Sequence, residues 1–139
     1  YMFHKYCRLI KNHHFKVLFM ARILVVDDSA TLLAGTSKIL ESAGHVVIPA
    51  VSGEEGVAKS IIEKPDLIVM DVVMPGISGF QATRQITSNP DTHHIPIIML
   101  TTKDQETDKV WAKRQGAKDY VVKPPEKKDL LSKIDALLG

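Results

Sequence analysis

The sequence predicts a doubly wound α/β fold, in which five parallel strands form one sheet that is covered by helices on both faces. Two observations lead to this prediction. Short apolar runs alternate with helical patterns five times along the chain, and such βα repeats favour a parallel sheet with right-handed crossovers. The runs are also mostly apolar on both faces, as a covered sheet requires. The predicted strands are Ile23–Val26, Val46–Ile48, Leu67–Met70, Ile97–Leu100 and Tyr120–Val122.

The helices between these strands are marked in two ways. The first and last helices show apolar residues at helical spacing, and the first of these stripes stops at Gly44, a residue type that commonly ends a helix. Two other helices begin at capping boxes, in which a serine is followed three residues later by glutamate or glutamine. The stripes are Leu33, Thr36, Leu40 and Ala43, then Leu130, Ile134 and Leu137; the boxes pair Ser52 with Glu55 and Ser78 with Gln81.

Composition favours one globular domain in a reducing compartment. The chain has 139 residues, of which 45% are hydrophobic and 24% are charged, enough for one adequate core. Cys7 is the only cysteine, so no internal disulfide can form and a cytoplasmic location is expected. We expect no membrane span and no signal peptide, because no apolar segment has the required length.

Residues 1–19 differ from the rest of the chain in charge. They hold four basic residues and no acidic one, which gives this segment a charge of +4. Since the formal net charge of the whole chain is +2, the remaining residues together carry −2. Basic residues of this main part are scattered between acids, which argues against a nucleic-acid surface. We expect residues 1–19 to be a leader, either added or from an upstream start, and residues 20–139 to form the domain. A basic arm for a membrane or a partner is the alternative.

Polar residues of types that bind metals or take part in catalysis follow four of the five predicted strands. Asp27 and Asp28 follow the first strand, Asp71 the third, Thr101 the fourth and Lys123 the fifth. The carboxyl ends of parallel strands meet at one edge of the sheet, where ligands bind in such folds. Three carboxylates there would repel one another unless a cation lay among them, and oxygen ligands of this kind suit Mg²⁺.

This set of residues is suited to phosphoryl transfer. Asp71 is the candidate nucleophile, because a carboxylate can attack a phosphoryl donor to give an aspartyl phosphate. Lys123, the Thr101 hydroxyl and Mg²⁺ would then neutralise the charge on the phosphoryl oxygens.

Each of these residues also has a purely structural interpretation. Asp28 or Ser29 could cap the first helix, and Thr101 and Thr102 could cap the fourth together with Asp104. Asp71 could be a turn residue, and Lys123 a solvated loop lysine. Their joint placement at the ends of four strands favours a functional site.

Residues 20–139 resemble the receiver domains of two-component response regulators, the CheY-like proteins. The resemblance implies the flavodoxin-like strand order 2-1-3-4-5 with five helices, a cis Lys123–Pro124 bond, and Mg²⁺ as the cofactor. By motif it assigns Asp71 as phosphoacceptor, Asp27 and Asp28 as the acidic pair, Thr101 as switch hydroxyl, Tyr120 as switch aromatic, Lys123 as phosphate-binding lysine, and Val73 as the residue that gives the metal its backbone carbonyl.

Two segments, Gly79–Gln85 and Thr101–Tyr120, are similar to response regulators of type IV pilus twitching motility. This likeness implies a CheA-like histidine kinase as phosphodonor and a pilus motor or other effector protein as partner. We expect a monomer. The fourth helix, the fifth strand and the last helix would form the output face, with Trp111 and the Lys113–Arg114 pair as possible contacts, although Trp111 could equally be a packing residue.

The sequence departs from the family pattern at one position that bears on output. Many relatives have an aromatic residue after the lysine and proline, whereas this chain has Pro125. In addition, Val73 and Thr102 are neither acids nor amides, so they offer no obvious group to position a hydrolytic water. The lifetime of the phosphoryl group is therefore open.

Three classes of function are compatible with the motifs to different degrees. The leading hypothesis is a switch that is not an enzyme beyond its own phosphorylation and dephosphorylation; a phosphate sink that drains a shared kinase is its variant. A metal-dependent aspartyl phosphatase would need an acid two residues after the nucleophile, but Ser29 follows Asp27 and Val73 follows Asp71. A flavodoxin-like cofactor carrier is disfavoured because the acidic pair would repel a phosphate after the first strand.

Overall fold

A computed structural model of the chain describes residues 8–10, 14–16, 20–102 and 106–139. Two short strands, β1 (Arg8–Ile10) and β2 (His14–Lys16), pair antiparallel in the segment that the sequence predicts to be a leader. The other five strands form one sheet, and five helices connect or follow them. These elements are β3 (Arg22–Val26), α1 (Ala30–Ser42), β4 (Val46–Ala50), α2 (Gly53–Glu63), β5 (Leu67–Asp71), α3 (Gly79–Ser88), β6 (Ile97–Thr101), α4 (Glu106–Arg114), β7 (Asp119–Val122) and α5 (Lys127–Leu138).

The five-stranded sheet is parallel throughout, in the order β4-β3-β5-β6-β7. Counted from β3 as the first strand, this is the predicted order 2-1-3-4-5. All five predicted strands are confirmed, each within one or two residues of its ends. The order places the ends of β3 and β5 side by side at the switch in direction, where doubly wound sheets bind ligands.

Alternate residues of the strands enter two separate cores, one on each face of the sheet. On one face Leu24, Val26 and Met70 pack with Ile86 of α3. On the other face residues of the same strands pack with α1 and α5: Ile23, Val25, Leu40, Leu130 and Ile134. Every residue of β5 and β6 is buried. Burial on both faces fixes the strand register, because a slip of one residue would exchange the two faces.

One of the two predicted capping boxes is confirmed and the other is half right. Ser78 accepts the Gln81 N–H and donates its own N–H to the Gln81 side chain. The Ser52 hydroxyl likewise accepts the Glu55 N–H at 3.1 Å. The Glu55 carboxylate, however, accepts the N–H of Val51 at 2.7 Å and not that of Ser52. Ser52 therefore caps α2 without the reciprocal bond.

The two edge strands of the sheet each have a backbone carbonyl covered by a lysine. Lys59 of α2 donates to the Pro49 carbonyl of β4 at 2.5 Å, and Lys133 of α5 donates to the Tyr120 carbonyl of β7 at 2.7 Å. Pro49 also lacks an N–H that another strand could use. Charged and proline residues at sheet edges oppose pairing between molecules, so both edges are protected.

Candidate functional site

Acidic side chains from two neighbouring strands meet at the carboxyl edge of the sheet. Asp27 and Asp28 directly follow β3, and Asp71 is the last residue of β5. One carboxylate oxygen from each of these three residues lies within 4.8 Å of the other two. Asp27 and Asp71 are buried, whereas Asp28 is exposed. The structure therefore brings together the three carboxylates that the sequence predicts to be metal ligands.

Burial and neighbouring carboxylates oppose the negative charge of Asp27. Its Oδ1 atom accepts the Ser29 N–H at 2.9 Å. Its Oδ2 atom is buried and has no hydrogen-bond partner within the described part of the chain. Burial raises the pKa of Asp27, and the negative charges of Asp71 and Asp28 raise it further, while the Ser29 amide and Lys123 act in the opposite direction. A bound cation is expected to stabilise a buried carboxylate oxygen that has no hydrogen-bond partner.

Asp71 is flanked by the lysine and the hydroxyl that the sequence predicts. The Lys123 ammonium forms an ion pair with Asp71 Oδ1. Lys123 follows β7 and precedes a cis peptide bond to Pro124, as the resemblance implies. Thr101, the last residue of β6, is fully buried, and its hydroxyl has no hydrogen-bond partner among the residues that the structure describes. The hydroxyl of Thr101 therefore lies on the strand next to β5, and the ammonium of Lys123 reaches the candidate nucleophile from the end of β7, one strand further away.

The loop between β5 and α3 is held tightly against Asp71. The Gly79 N–H donates to the Val72 carbonyl at 2.8 Å, and a Cβ atom at Gly79 would lie 1.9 Å from the Asp71 carbonyl oxygen. Gly76 has a φ of +80°, which favours glycine. Val73 is 65% exposed in this loop. The predicted contribution of its backbone carbonyl to a metal remains a prediction.

Glu54 is a residue near the site that the sequence reasoning missed. It lies in the first turn of α2, and its Oε2 atom accepts the N–H of Ile77 at 3.4 Å. A Cβ atom at Gly76 would lie 2.6 Å from the same oxygen. Glu54 therefore links α2 to the loop that follows Asp71. No sequence signal identifies this link, because an acid in the first turn of a helix is common for electrostatic reasons alone.

Tyr120, the predicted switch aromatic, is partly buried in the edge strand β7, opposite Met99 of β6. Two ammonium groups lie over its ring: Lys109 Nζ of α4 at 5.0 Å and Lys133 Nζ of α5 at 5.1 Å from the ring centroid. Neither lysine was predicted to be functional. The contact depends on how α4 and α5 pack against β7, which residue spacing along the chain does not reveal.

The outer face of α4 is partly apolar. Val110 is 53% exposed and Trp111 is 48% exposed, and the Arg114 guanidinium lies 5.4 Å from the Trp111 ring centroid. Of the two interpretations left open by the sequence, Trp111 therefore fits a surface residue better than a core residue. Asp104, which in the structural interpretation would cap the fourth helix together with Thr101 and Thr102, lies outside the described residues.

The residues at the acidic site fit a hard divalent cation. Asp27, Asp28 and Asp71 offer only oxygen ligands, and one oxygen of Asp27, Oδ2, has no hydrogen-bond partner within the described residues. Mg²⁺ binds such carboxylates while it keeps several waters. Because Asp28 is exposed, this side of the site is open to solvent.

Comparison with known protein families gives an unambiguous match. The model of the response regulator receiver domain matches residues 23–135. The chain belongs to this family. The match covers all five strands of the parallel sheet except the first residue of β3, and it includes all seven predicted site residues.

Individual relatives agree with this assignment. Protein PilH of Pseudomonas aeruginosa is 56% identical over 120 residues, which are 86% of this chain and 99% of PilH. The alkaline phosphatase synthesis transcriptional regulatory protein PhoP of Bacillus subtilis is 40% identical over 117 residues, and the chain spans about half (48%) of its length. Chemotaxis protein CheY4 of Vibrio cholerae has a similar structure, with a TM-score of 0.80 and 34% identity over 86% of this chain and 99% of CheY4.

None of the helices that the structure describes is both long enough and apolar enough to cross a membrane.

Proposed function

We propose that this protein is a phosphorylation switch in which Asp71 accepts a phosphoryl group from a histidine kinase. The observation that supports this most directly is the ion pair between buried Asp71 and Lys123, beside the partnerless oxygen of Asp27. The residues that would hold Mg²⁺ are Asp27, Asp28 and Asp71, with the Val73 backbone carbonyl. When bound, Mg²⁺ supplies positive charge that screens the acceptor carboxylate from the anionic donor.

The transfer moves one phosphoryl group and needs no added oxidant or reductant. A carboxylate oxygen of Asp71 forms a bond to phosphorus while the phosphorus–nitrogen bond of a phosphohistidine breaks, and the leaving imidazole nitrogen takes up a proton from solvent. The Lys123 ammonium, which pairs with Asp71, would move to an oxygen of the incoming phosphoryl group. The Thr101 hydroxyl, which has no other described partner, would donate to another of those oxygens.

Phosphorylation would then be transmitted to the surface through Tyr120. The phosphoryl group adds about two negative charges and new acceptor oxygens. If the Thr101 hydroxyl moves toward them, space is created beside β6 into which the ring of Tyr120 can move, because Tyr120 and Met99 are neighbours across β6 and β7. The face made by α4, β7 and α5 would change accordingly.

The cellular role that we propose is cytoplasmic signalling in type IV pilus twitching motility. This rests on the sequence likeness to twitching-motility regulators and on 56% identity with PilH over nearly its whole length. A CheA-like kinase is the proposed donor and a pilus motor or other effector protein is the proposed partner of a monomeric switch. An aspartyl phosphatase is disfavoured, since Val73, two residues after Asp71, is not an acid.

The alternative is a phosphate sink that drains a shared kinase without a dedicated effector. The half-exposed Val110 and Trp111 on α4 favour the effector role, because exposed apolar residues on a surface helix often mark a protein contact. A short phosphoryl lifetime combined with no phosphorylation-dependent partner would favour the sink.

Intact mass spectrometry after incubation with acetyl phosphate tests the proposal. Wild-type protein with Mg²⁺ should gain a single phosphoryl adduct, whereas Asp71→Asn protein and wild-type protein with a chelator should gain none. Asp91→Asn, which removes an exposed carboxylate away from the site, should behave as wild type. An adduct of equal yield on Asp71→Asn would overturn the assignment of the acceptor, as would an adduct that forms equally without metal.

A further inference from the structure

Tyr120 lies in an unusual electrostatic setting for a side chain that must move. Its ring has the ammonium of Lys109 at 5.0 Å and that of Lys133 at 5.1 Å from its centroid. Both distances are within the range of a favourable cation–π contact. The two lysines come from different helices, α4 and α5, so the ring is held from both helices that flank β7.

Lys133 is itself fixed by several other contacts. Its ammonium donates to the backbone carbonyl of Tyr120 at 2.7 Å. The same ammonium lies 3.5 Å from Asp129 Oδ1 and 3.8 Å from Asp119 Oδ1. Its side chain is only 27% exposed. A cation with this many partners loses little additional entropy when it contacts the ring, so its contact with Tyr120 is not that of a freely moving surface lysine.

We propose that Lys109 and Lys133 are positioning residues that hold Tyr120 in the unphosphorylated arrangement and thereby set the threshold of the switch. This inference rests on the proposed function, in which Tyr120 moves upon phosphorylation. Contacts that stabilise one of two states weaken the binding of any ligand that prefers the other state. Removing either ammonium should therefore make the phosphorylated arrangement easier to reach.

The expected size of this effect follows from the strength of one cation–π contact at a partly exposed site. Each lysine should lower the apparent affinity for a phosphoryl mimic by about two- to fivefold. The variants Lys109→Met and Lys133→Met remove the charge while keeping a long, flexible side chain. Lys109→Arg and Lys133→Arg keep a cation that can lie over an aromatic ring, so they should restore wild-type behaviour.

The test uses full-length protein labelled with 3-fluorotyrosine and ¹⁹F NMR, with Tyr120→Phe to identify the signal of ring 120 among the three tyrosines. Lys113→Met on α4 and Lys128→Met on α5 are matched controls, because each removes the same charge from an exposed position of the same helix. Spectra are recorded first with Mg²⁺ alone and then during a titration with beryllofluoride, a mimic of the phosphoryl group.

Without beryllofluoride, the Tyr120 signal should shift in both lysine-to-methionine variants at positions 109 and 133 and stay unchanged in the two controls. During the titration, half-saturation should occur at about two- to fivefold lower beryllofluoride in those two variants than in wild type. Equal shifts in the controls, or unchanged or weaker beryllofluoride affinity, would overturn the inference. If wild-type protein did not respond to beryllofluoride at all, the proposed function would fail, and the spectra with Mg²⁺ alone would decide whether the lysines hold the ring.

Discussion

At the scale of single residues, Asp27 carries a charge in a place where burial and two neighbouring carboxylates both oppose it. Its pKa is raised for these reasons, despite the Ser29 amide and Lys123. One of its oxygens has no described hydrogen-bond partner. Such an arrangement costs stability in the metal-free protein and is useful only if a cation binds, so stability and metal affinity are opposed at this residue.

The substitution Asp27→Asn should separate these two effects. We expect the metal-free variant to be more stable than wild type by on the order of 1 kcal/mol, because the buried charge is removed while the amide oxygen can still accept the Ser29 N–H. Stabilisation by Mg²⁺ should be lost. Thermal unfolding with and without Mg²⁺ measures both. Asp28→Asn is the control: since Asp28 is exposed, it should weaken Mg²⁺ binding with a smaller gain in metal-free stability. A lower melting temperature for metal-free Asp27→Asn would contradict this account.

Thr36 presents a buried hydroxyl outside the site. It lies in α1 with 1% exposure, and its Oγ1 atom has no hydrogen-bond partner in the described part of the chain. Thr36→Val should raise the free energy of unfolding by about 1 kcal/mol, because the shape is kept and an unsatisfied polar atom is removed. Thr92→Val should have the opposite effect by a similar amount, since the Thr92 hydroxyl donates to the Ile86 carbonyl at 2.7 Å. Urea unfolding compares the two, and destabilisation by both variants would contradict the argument.

At the scale of elements, α3 packs so closely onto the end of β5 that its first residue, Gly79, has no room for a side chain. Gly79 is not among the residues with positive φ, but a Cβ atom there would lie 1.9 Å from the Asp71 carbonyl oxygen and 2.9 Å from Val72 Cα. The obstructing atoms are backbone atoms, so they cannot move aside as a flexible side chain would. The start of α3 and the position of Asp71 are therefore linked.

Gly79→Ala should destabilise the protein by about 3 kcal/mol and lower the yield of the Asp71 adduct, because α3 and the end of β5 must move apart. Gly35→Ala is a matched control within α1. A Cβ atom at Gly35 meets nothing within 4 Å, so this variant should be stabilised by about 0.5–1 kcal/mol through higher helix propensity. Chemical unfolding and the acetyl phosphate assay give both readouts. Wild-type stability of Gly79→Ala would show that the close approach is not required.

The elements themselves were well predicted from sequence because their signals are local. The strands are apolar on both faces, and α1 ends one residue before its C-cap Ala43, followed by Gly44 at a φ of +90°. The second half of the Ser52 box was predicted wrongly because the Glu55 side chain had two possible acceptor roles, and it binds the Val51 N–H while also lying 3.6 Å from Lys59 Nζ. Local sequence identifies the cap but not the rotamer of the acid.

At the scale of the whole molecule, the sequence was informative wherever topology alone brings residues together. Asp27, Asp71 and Thr101 converge because each lies at, or directly after, the carboxyl end of a parallel strand, and these three strands are neighbours in the sheet. The contacts of Tyr120 with Lys109 and Lys133, and of Glu54 with Ile77, were not predicted. They depend on the rotation and position of helices on the sheet, which are set by packing of many side chains.

Ala21 and Arg22 connect the start of β3 to the elements around it. Ala21 is fully buried; its N–H donates to His45 Nδ1 at 3.0 Å, and its carbonyl accepts the Val46 N–H at 2.9 Å. Arg22 then binds the end of α2 and the start of β5 through Glu63 and Asp66. These bonds connect β3 to both neighbouring strands at the end of the sheet opposite the acidic site.

Two deletions test the predicted boundary between residues 1–19 and the domain. A protein that begins at Met20 should keep its melting temperature within about 2 °C and form the Asp71 adduct at the wild-type rate, because the bonds of Ala21 and Arg22 remain. A protein that begins at Ile23 should melt at least roughly 5 °C lower, since it loses the burial of Ala21 and the Arg22 interactions with Glu63 and Asp66. Calorimetry and the adduct assay are run on both. If the shorter deletion were as destabilising as the longer one, residues 1–19 would have to be counted as part of the folded domain.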